Sequence, residues 1–310
     1  MSRYIIKRLL LLIPIILAVS FVVYFLMDLA PGDPVMQLAP QDATPEQIEQ
    51  LRVELGMDGT LLERYGRYVW NLLHGDMGES LTQKRPVLEL FMERFPATFK
   101  LALASQVVAL IISLPLGILA ARKRGTLVDG ASMVTAMIGV SMPSFWLALL
   151  LIILFSAKLG WLPSGGDAGL ACLIMPAFAL GTHSAGSLTR ITRSGMLDVL
   201  SQDYLRTARA KGVPEKTVIT KHALKNALIP IITIFGSNLG NALGGAVAIE
   251  TVFAWPGVGR LTVKAVNERD MTLATGCIIL FTLFLNITLL IVDIAYAYVD
   301  PRIKAQYAKK

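Results

Sequence analysis

Long uncharged runs of apolar residues dominate the chain and alternate with shorter polar segments. The first run, Leu9–Met27, is long enough to cross ~30 Å of hydrocarbon at about 1.5 Å per helical residue. The run is too long for the apolar region of a typical secretory signal and no small-residue cleavage site follows it, so we predict a retained membrane helix. The other predicted membrane helices are Leu101–Ala121, Ala131–Ala157, Ala168–Thr189, Ala227–Ile249 and Met271–Val292.

Two of these runs contain residues that modify the prediction. Pro143 lies inside the third run, and a proline in a helix removes a backbone hydrogen bond, so we predict a kink there. The fourth run is diluted by Gly, Ser, Thr and His183. We predict that it ends where Arg190 and Arg193 begin, because basic residues commonly flank membrane helices.

The polar segment after the first run predicts a small folded region. It opens on a turn sequence, Pro31, Gly32, Asp33 and Pro34. Thr44 is followed by Pro45 and Gln47, the residues of a capping box with a first-turn proline, and Gly56 would end that helix. A second helix is predicted over Leu61–Leu73.

The predicted fold is therefore an all-α polytopic membrane protein. It has six transmembrane helices and a small helical extracytoplasmic excursion after the first. We divide the chain into residues 1–30, the cytoplasmic N-terminus and first membrane helix; 31–98, the extracytoplasmic helical region; and 99–310, a core of five membrane helices. The core includes a cytoplasmic loop at 190–228.

Composition and charge agree with this assignment. Hydrophobic residues make up 54% of the chain and charged residues 16%, and the mean hydropathy of +0.60 lies outside the range of an ordinary soluble domain. With the N-terminus inside, 18 of the 29 Lys and Arg residues fall on the cytoplasmic side, four of them in the C-terminal tail. The net charge of +7 thus reflects orientation, with both termini cytoplasmic, and predicts no nucleic-acid partner.

A basic segment between the fourth and fifth runs predicts two short helices. The first would comprise Tyr204–Lys211, and Gly212 would end it in the left-handed conformation. Pro214 would start the second helix, which should end near Ala227 because Pro230 disfavours its continuation.

This segment resembles the cytoplasmic coupling loop of permease subunits of ABC importers, in particular the dipeptide, oligopeptide and nickel group. The matching D-Y-x-R-T-A-R-A-K-G run comprises Asp203, Tyr204, Arg206, Thr207, Ala208, Arg209, Ala210, Lys211 and Gly212. The following H-x-L-x-N-A-x-x-P run comprises His222, Leu224, Asn226, Ala227 and Pro230. The chain departs from the broader E-A-A-x3-G importer signature at Arg206 and Thr207. The resemblance implies that an ATPase docks on the first run.

The fifth predicted membrane helix has small and polar residues at regular spacing. Gly236, Gly240 and Gly244 recur every four residues, so one helix face can approach a neighbouring helix closely. Asn238 and Asn241 add polar groups at depth. Helix packing and a face along a translocation pathway are equal alternatives for this pattern.

An E-x-x-F-x-W-P-G-x-G-R sequence follows the fifth run and resembles the outer re-entrant segment of the same permease group. Its residues are Glu250, Phe253, Trp255, Pro256, Gly257, Gly259 and Arg260. Proline and glycine stop a helix, while Trp255 and Arg260 suit a membrane interface. A plain surface turn would explain most of these features.

The sequence predicts no enzymatic activity and no metal site on this chain. It has no G-x-x-x-x-G-K-[ST] run for nucleotide phosphates, and its two cysteines, Cys172 and Cys277, lie in separate apolar runs. His74, His183 and His222 are scattered over the two sides and one membrane helix. We therefore expect no cofactor on the chain, with ATP and Mg²⁺ held by partner subunits.

The resulting hypothesis is a permease subunit of an ATP-driven importer in the inner or plasma membrane, with peptides, including di-, oligo- and glutathione-like peptides, as cargo. A nickel or metal-chelate importer is the first alternative. A gradient-driven secondary transporter is the second, although charged or broken spans and an internal repeat would then be expected. The resemblance implies four kinds of partner: a second homologous permease subunit, two ATPase subunits, an extracytoplasmic substrate-binding protein and membrane lipid.

Overall fold

The computed structural model describes residues 2–29, 33, 35–36, 39–40 and 42–299. Its helices, in chain order, are α1 (Ser2–Leu29), α2 (Pro45–Glu54), α3 (Leu61–Leu73), α4 (Val87–Arg122), α5 (Leu127–Ser141), α6 (Ser144–Leu151), α7 (Leu170–Leu200), α8 (Asp203–Ala210), α9 (Glu215–Thr217), α10 (Leu224–Val252), α11 (Val258–Asn267) and α12 (Met271–Val299). The predicted turn residues Pro31, Gly32 and Pro34, and the basic C-terminal tail, lie outside the described residues.

The described part of the chain has five helices long and apolar enough to cross a membrane, or six if one bent pair counts as a span. The five segments are Ile5–Leu29, Val87–Arg122, Leu170–Leu200, Pro230–Val252 and Met271–Ile294. The prediction of an all-α polytopic membrane protein is thus confirmed. The second span starts well before the predicted Leu101, so its first turns lie within the segment 31–98 that was predicted as an excursion.

The third predicted membrane helix is broken rather than kinked. Helix α5 ends at Ser141, and the axis changes direction by 99° before α6 begins at Ser144. Met142 is extended, with φ −82° and ψ 123°, because a residue before proline is disfavoured in the helical region. Helix α6 then continues as a π-helix over Ile152–Lys158. The sharp break places Ser141 and Ser144 on either side of a bend in the middle of an apolar segment.

The excursion helices confirm the capping prediction. Thr44 and Gln47 form the expected reciprocal capping box, in which the Thr44 amide donates to Gln47 Oε1 at 2.9 Å. Helix α3 begins with a second capping box that the sequence analysis did not identify, between Thr60 and Glu63. The Thr60 backbone amide donates to the Glu63 carboxylate at 2.7 Å, and this bond lowers the pKa of that carboxyl group.

The chain divides into two compact units. One contains the described residues of 1–4, 96–260 and 287–310, and the other contains 5–95 and 261–286. The second unit holds α2 and α3, and within it the Tyr65 hydroxyl donates to the Leu17 carbonyl at 2.9 Å. The residues of the candidate site lie in the first unit.

Helix α7 is central to the first unit, because both α5 and α10 pack against it. A buried apolar cluster contains Ala109 of α4, Ala185 and Leu188 of α7, and Ile231 of α10. Helix α7 also runs on to Leu200, so the prediction that it ends at the arginines is wrong.

The basic segment folds as predicted in its first half only. Helix α8 occupies Asp203–Ala210, and Gly212 has a φ of +76°, which confirms the left-handed stop. The second helix does not end near Ala227. After α9 and a π-helix over Val218–Ala223, α10 continues through Pro230 to Val252.

Pro230 is accommodated by its neighbours. Gly195 of α7 faces it, and a Cβ placed on that glycine would lie 3.5 Å from the proline Cγ. Proline is tolerated in membrane helices because neighbouring helices and local π-turns re-satisfy or accommodate the freed backbone groups. The sequence rule used for soluble helices therefore failed here.

Candidate functional site

Helix α8 presents nearly all of the predicted coupling residues on its exposed surface. Leu205 is fully buried and Ala208 is partly buried. Both contribute to an apolar cluster that includes Met196 of α7 and Val218 of the following π-helix. The residues left exposed are Asp203, Tyr204, Arg206, Thr207, Arg209, Ala210, Lys211 and Gly212. Helix α8 is therefore anchored to the protein by one apolar side, and its other sides are polar and accessible.

Tyr204 links the two conspicuous sequence runs of this segment. Its hydroxyl accepts a hydrogen bond from Asn226 Nδ2 at 2.6 Å and donates to the His222 carbonyl at 3.3 Å. These bonds hold α8 against the start of α10. The sequence analysis identified all three residues but did not predict their contact, which joins positions 22 residues apart.

Arg209 closes the turn around Gly212. Its Nε and Nη2 donate to the two carboxylate oxygens of Glu215, each at 3.1 Å. The guanidinium lowers the pKa of the Glu215 carboxyl group. Both side chains are more than one-third exposed, so the pair contributes little stability, on the order of 0–1 kcal/mol. Its main effect is on the shape of the turn.

A cavity of about 620 Å³ lies where the α5–α6 break meets α7 and α10. The described residues that line it are Val140, Ser141, Met142, Pro143, Ser144, Phe145, Leu180, His183, Ser184, Ser187, Asn238, Asn241, Ala242 and Gly245. Half of them carry hydroxyl, amide or imidazole groups, and none of them is Asp, Glu, Lys or Arg. The cavity can therefore hydrogen-bond a polar molecule without presenting a fixed charge.

The cavity lies at mid-depth of two candidate membrane spans. His183 is 13 residues from the start of α7, or about 20 Å at 1.5 Å per residue. Asn241 is 11 residues into the span Pro230–Val252, or about 17 Å. Asn238 donates to Ser187 Oγ at 3.5 Å across the cavity wall. Both asparagines identified in the sequence thus line the cavity.

The glycines of α10 have different surroundings. A Cβ on Gly240 would lie 2.8 Å from Leu289 Cδ2, so this glycine permits close helix packing. Gly236 is buried, whereas a Cβ on Gly244 would meet no atom within 4 Å. Gly245, which the sequence analysis did not select, lines the cavity. Regular spacing therefore did not distinguish packing positions from open ones.

The segment after α10 is organised around a fully buried carboxylate. Glu250 accepts a hydrogen bond from Thr98 Oγ1 at 2.6 Å and from the Arg260 backbone amide at 3.0 Å. Thr98 Oγ1 in turn accepts from the Val258 amide at 2.8 Å. The sequence analysis missed Thr98, which is 152 positions from Glu250 and belongs to no recognisable motif.

The two glycines of this segment lie against that carboxylate. A Cβ on Gly257 would collide with the carboxylate of Glu250 itself, and one on Gly259 would lie 2.8 Å from Glu250 Oε2. Pro256 stands immediately before this pair, between α10 and α11. The alternative of a plain surface turn is therefore wrong.

Trp255, which the sequence suggested as a residue suited to a membrane interface, faces the interior of the protein. Its side chain is buried, and its Nε1 donates to the Ala97 carbonyl at 2.9 Å. Arg260 remains exposed, and its Nη1 donates to the Ala254 carbonyl at 2.7 Å. The segment is thus held to the first turns of the second membrane span by buried polar contacts.

The structure also brings together Asp129 of α5 and Arg193 of α7. From the sequence, Arg193 was predicted only as a residue flanking a membrane helix, and Asp129 was not selected. The sequence signal for Asp129 was its place in the first turn of a helix that comes after three basic residues. Sequence spacing does not identify its partner, which is 64 positions away.

Comparison with known proteins identifies the family. The protein-family model described as "Binding-protein-dependent transport system inner membrane component" matches residues 113–305. A second family model, for the N-terminal part of such membrane components, matches residues 1–102. The chain belongs to this family. It is therefore a multi-pass membrane protein with a transport role rather than a catalytic one, and its family implies partnership with substrate-binding and ATPase subunits.

Relatives matched over nearly their whole length support the assignment, and a solved structure supports the fold. The chain is 41% identical to the oligopeptide transport system permease protein AppB of Bacillus subtilis (strain 168), over 98% of this chain and 100% of AppB. It is 42% identical to the glutathione transport system permease protein GsiC of Escherichia coli (strain K12), over 98% of this chain and 99% of GsiC. A structure of the MetNI methionine ABC transporter in inward-facing conformations has a TM-score of 0.59 at 17% identity, covering 68% of this permease and 96% of that chain, and supports the fold alone.

Proposed function

We propose that the protein is one permease subunit of an ATP-driven importer and forms half of a translocation pathway for peptides. The observation that carries this proposal is the uncharged polar cavity at mid-depth between the α5–α6 break, α7 and α10. A second homologous permease subunit would supply the other half of the pathway. An extracytoplasmic binding protein would deliver the cargo.

The chemistry of the cavity favours peptides over a nickel ion. Serine hydroxyls and the amides of Asn238 and Asn241 can both donate to and accept from a peptide backbone. His183 supplies the one imidazole among the described lining residues, which include no thiol or carboxylate. Transition metals favour sites in which several imidazole, thiol or carboxylate ligands come together. The relatives named for oligopeptides and glutathione support the same cargo class.

The gradient-driven alternative is not retained. The family is one of binding-protein-dependent transport systems, and energy in the proposed complex comes from two ATPase subunits that hold ATP and Mg²⁺. We place their docking surface on the exposed residues of α8. This helix suits the role because the buried Leu205 anchors it and a hydrogen bond of Tyr204 connects it to α10. A force on its exposed side would therefore reach the membrane helices.

The Glu250-centred segment would lie at the outer end of the pathway, where the binding protein delivers its cargo. Its buried hydrogen bonds make it a rigid surface rather than a mobile loop. This orientation follows from the predicted charge asymmetry, with both termini in the cytoplasm. The proposal includes no nucleic-acid partner.

The cargo is tested by uptake into cells that express the complete transport system. We expect accumulation of a labelled dipeptide or of glutathione. Replacement of Asn241 by leucine should lower uptake by up to about tenfold, since a lost hydrogen bond is worth ~0.5–1.5 kcal/mol. Ser237→Ala is the matched control, because Ser237 lies one turn away, is not among the lining residues and donates its hydroxyl to the Thr233 carbonyl of its own helix. Nickel accumulation without peptide uptake would refute the peptide assignment.

The orientation is tested by labelling single cysteines in intact cells with an impermeant maleimide. Cysteines at Gln50 and Ala168 should react, whereas cysteines at Thr126 and Lys216 should react only after the cells are permeabilised. All four positions are exposed. The background should lack the two native cysteines, which are free and buried. The reverse labelling pattern would contradict the proposed orientation.

A further inference from the structure

We propose that Asp129 and Arg193 are positioning residues for transport. Their ion pair holds α5 and α7 together, so that both helices carry a displacement of α8 to the cavity as one body. This inference rests on the proposed function, because it concerns how force from the ATPase reaches the translocation pathway.

The geometry of the pair is that of a strong, directional contact. Arg193 Nε donates to Asp129 Oδ1 at 2.7 Å, and Nη2 donates to Oδ2 at 2.7 Å. The Gly125 amide also donates to Oδ2, at 3.0 Å. The Asp129 side chain is only 9% exposed and that of Arg193 28%. Two parallel bonds to a shielded carboxylate fix orientation as well as distance, which a single exposed ion pair does not.

The rest of the contact between α5 and α7 is close but largely non-directional. A Cβ on Gly186 of α7 would collide with the Ala136 carbonyl, and one on Gly139 of α5 would lie 3.1 Å from Thr182 Cγ2. Such contacts bring two backbones close together. The paired hydrogen bonds between Asp129 and Arg193 add a directional contact that opposes sliding of one helix past the other.

Polar contacts hold the two helices at both ends of this interface. Near the cavity, His183 Nδ1 lies 3.2 Å from the Val140 carbonyl. The Asp129–Arg193 pair lies ten residues further along α7, or about 15 Å at 1.5 Å per residue. With contacts at both ends and glycines between them, α5 and α7 can move as a rigid body.

This body extends from the candidate coupling helix to the cavity wall. Helix α7 ends at Leu200 and α8 begins at Asp203, and Met196 and Leu205 share one buried cluster. A displacement of α8 is therefore passed to α7 directly. It reaches α5, which ends at Ser141 in the cavity wall, through the contacts that include the ion pair.

The test is the amount of cargo transported per ATP hydrolysed by the reconstituted complex with loaded binding protein. In Asp129→Asn we expect this ratio to fall about tenfold, since one partner of a shielded ion pair is lost. Stimulated ATP hydrolysis should stay within about twofold of wild type. Asp198→Asn is the matched control, because Asp198 is an exposed acid on α7 and its substitution should leave the ratio unchanged.

A merely structural role would give a different result. Loss of folded protein would lower ATP hydrolysis and transport together and leave their ratio at the wild-type value, which would overturn the inference. Arg193→Lys keeps the charge but loses the paired geometry. Its ratio of cargo transported to ATP hydrolysed should lie between those of wild type and Asp129→Asn. If the wild-type complex carries nickel rather than peptide, the proposed cargo fails, and the same ratio measured with nickel still tests the ion pair.

A disulfide gives an independent test of rigid-body movement. Gly139→Cys and Thr182→Cys, in a protein without Cys172 and Cys277, place two thiols across the α5–α7 contact. We expect the oxidised protein to transport as fast as the same protein after reduction, because the helices do not separate. Transport that stops on oxidation and returns on reduction would overturn the inference.

Discussion

Replacement of Gly257 by alanine is expected to lower the midpoint of thermal unfolding of the purified protein in detergent. The added Cβ would collide with the Glu250 carboxylate, which is fully buried and bonded to Thr98 Oγ1. The carboxylate cannot move aside without losing that bond or the one from the Arg260 amide. Overpacking of this kind costs ~1–3 kcal/mol, and loss of a buried hydrogen bond adds to it.

Gly244→Ala provides the matched control for this prediction. Gly244 lies inside α10, and a Cβ there would meet no atom within 4 Å. Alanine is a better helix former than glycine by ~1 kcal/mol, so this variant should unfold at the same or a higher temperature. Equal destabilisation of both variants would mean that the buried carboxylate does not organise the segment.

Much of the fold could be predicted because the decisive information is local. Uncharged length identifies a membrane helix regardless of what packs against it, as for Leu9–Met27. Caps are equally local. The capping box at Thr44 and Gln47 and the left-handed Gly212 depend on residues within one turn, and both are confirmed.

The predictions failed where neighbouring helices decide the outcome. Pro143 breaks its segment by 99°, whereas Pro230 remains inside a helix. The two prolines are alike as sequence signals. They differ in their surroundings, since Pro230 faces Gly195 and follows a π-helix, and Met142 before Pro143 is extended.

The candidate site shows the same division between local and distant information. Motif resemblance selected Glu250, Gly257 and Gly259 as a group, and the structure places both glycines against the Glu250 carboxylate, but the bond from Thr98 to that carboxylate has no sequence signal. The asparagines of α10 were selected as packing or pathway residues, and only the break at Pro143 brings a cavity to them. Docking of an ATPase on α8 stays a prediction, because it concerns a surface whose partner lies on another chain.

Replacement of Gly212 by valine is expected to abolish stimulation of ATP hydrolysis by loaded binding protein. Gly212 has a φ of +76°, and a Cβ there would meet no atom within 4 Å, so the effect of substitution comes from the backbone rather than from a clash. For a β-branched residue, adopting this left-handed conformation costs ~1–2 kcal/mol or more. Relief of the strain would change the angle between α8 and the helical segment that follows the turn, and would separate Arg209 from Glu215.

Gly212→Asn separates this backbone effect from the loss of glycine itself. Asparagine adopts the left-handed conformation more readily than other non-glycine residues, so this variant should retain most of the stimulation. Both variants should insert into the membrane, because insertion depends on apolar length and flanking charge rather than on a turn between spans. The measurement is ATPase activity of the reconstituted complex with and without loaded binding protein. Wild-type stimulation in Gly212→Val would mean that the orientation of α8 does not transmit force, and the proposed coupling role of this segment would have to be abandoned.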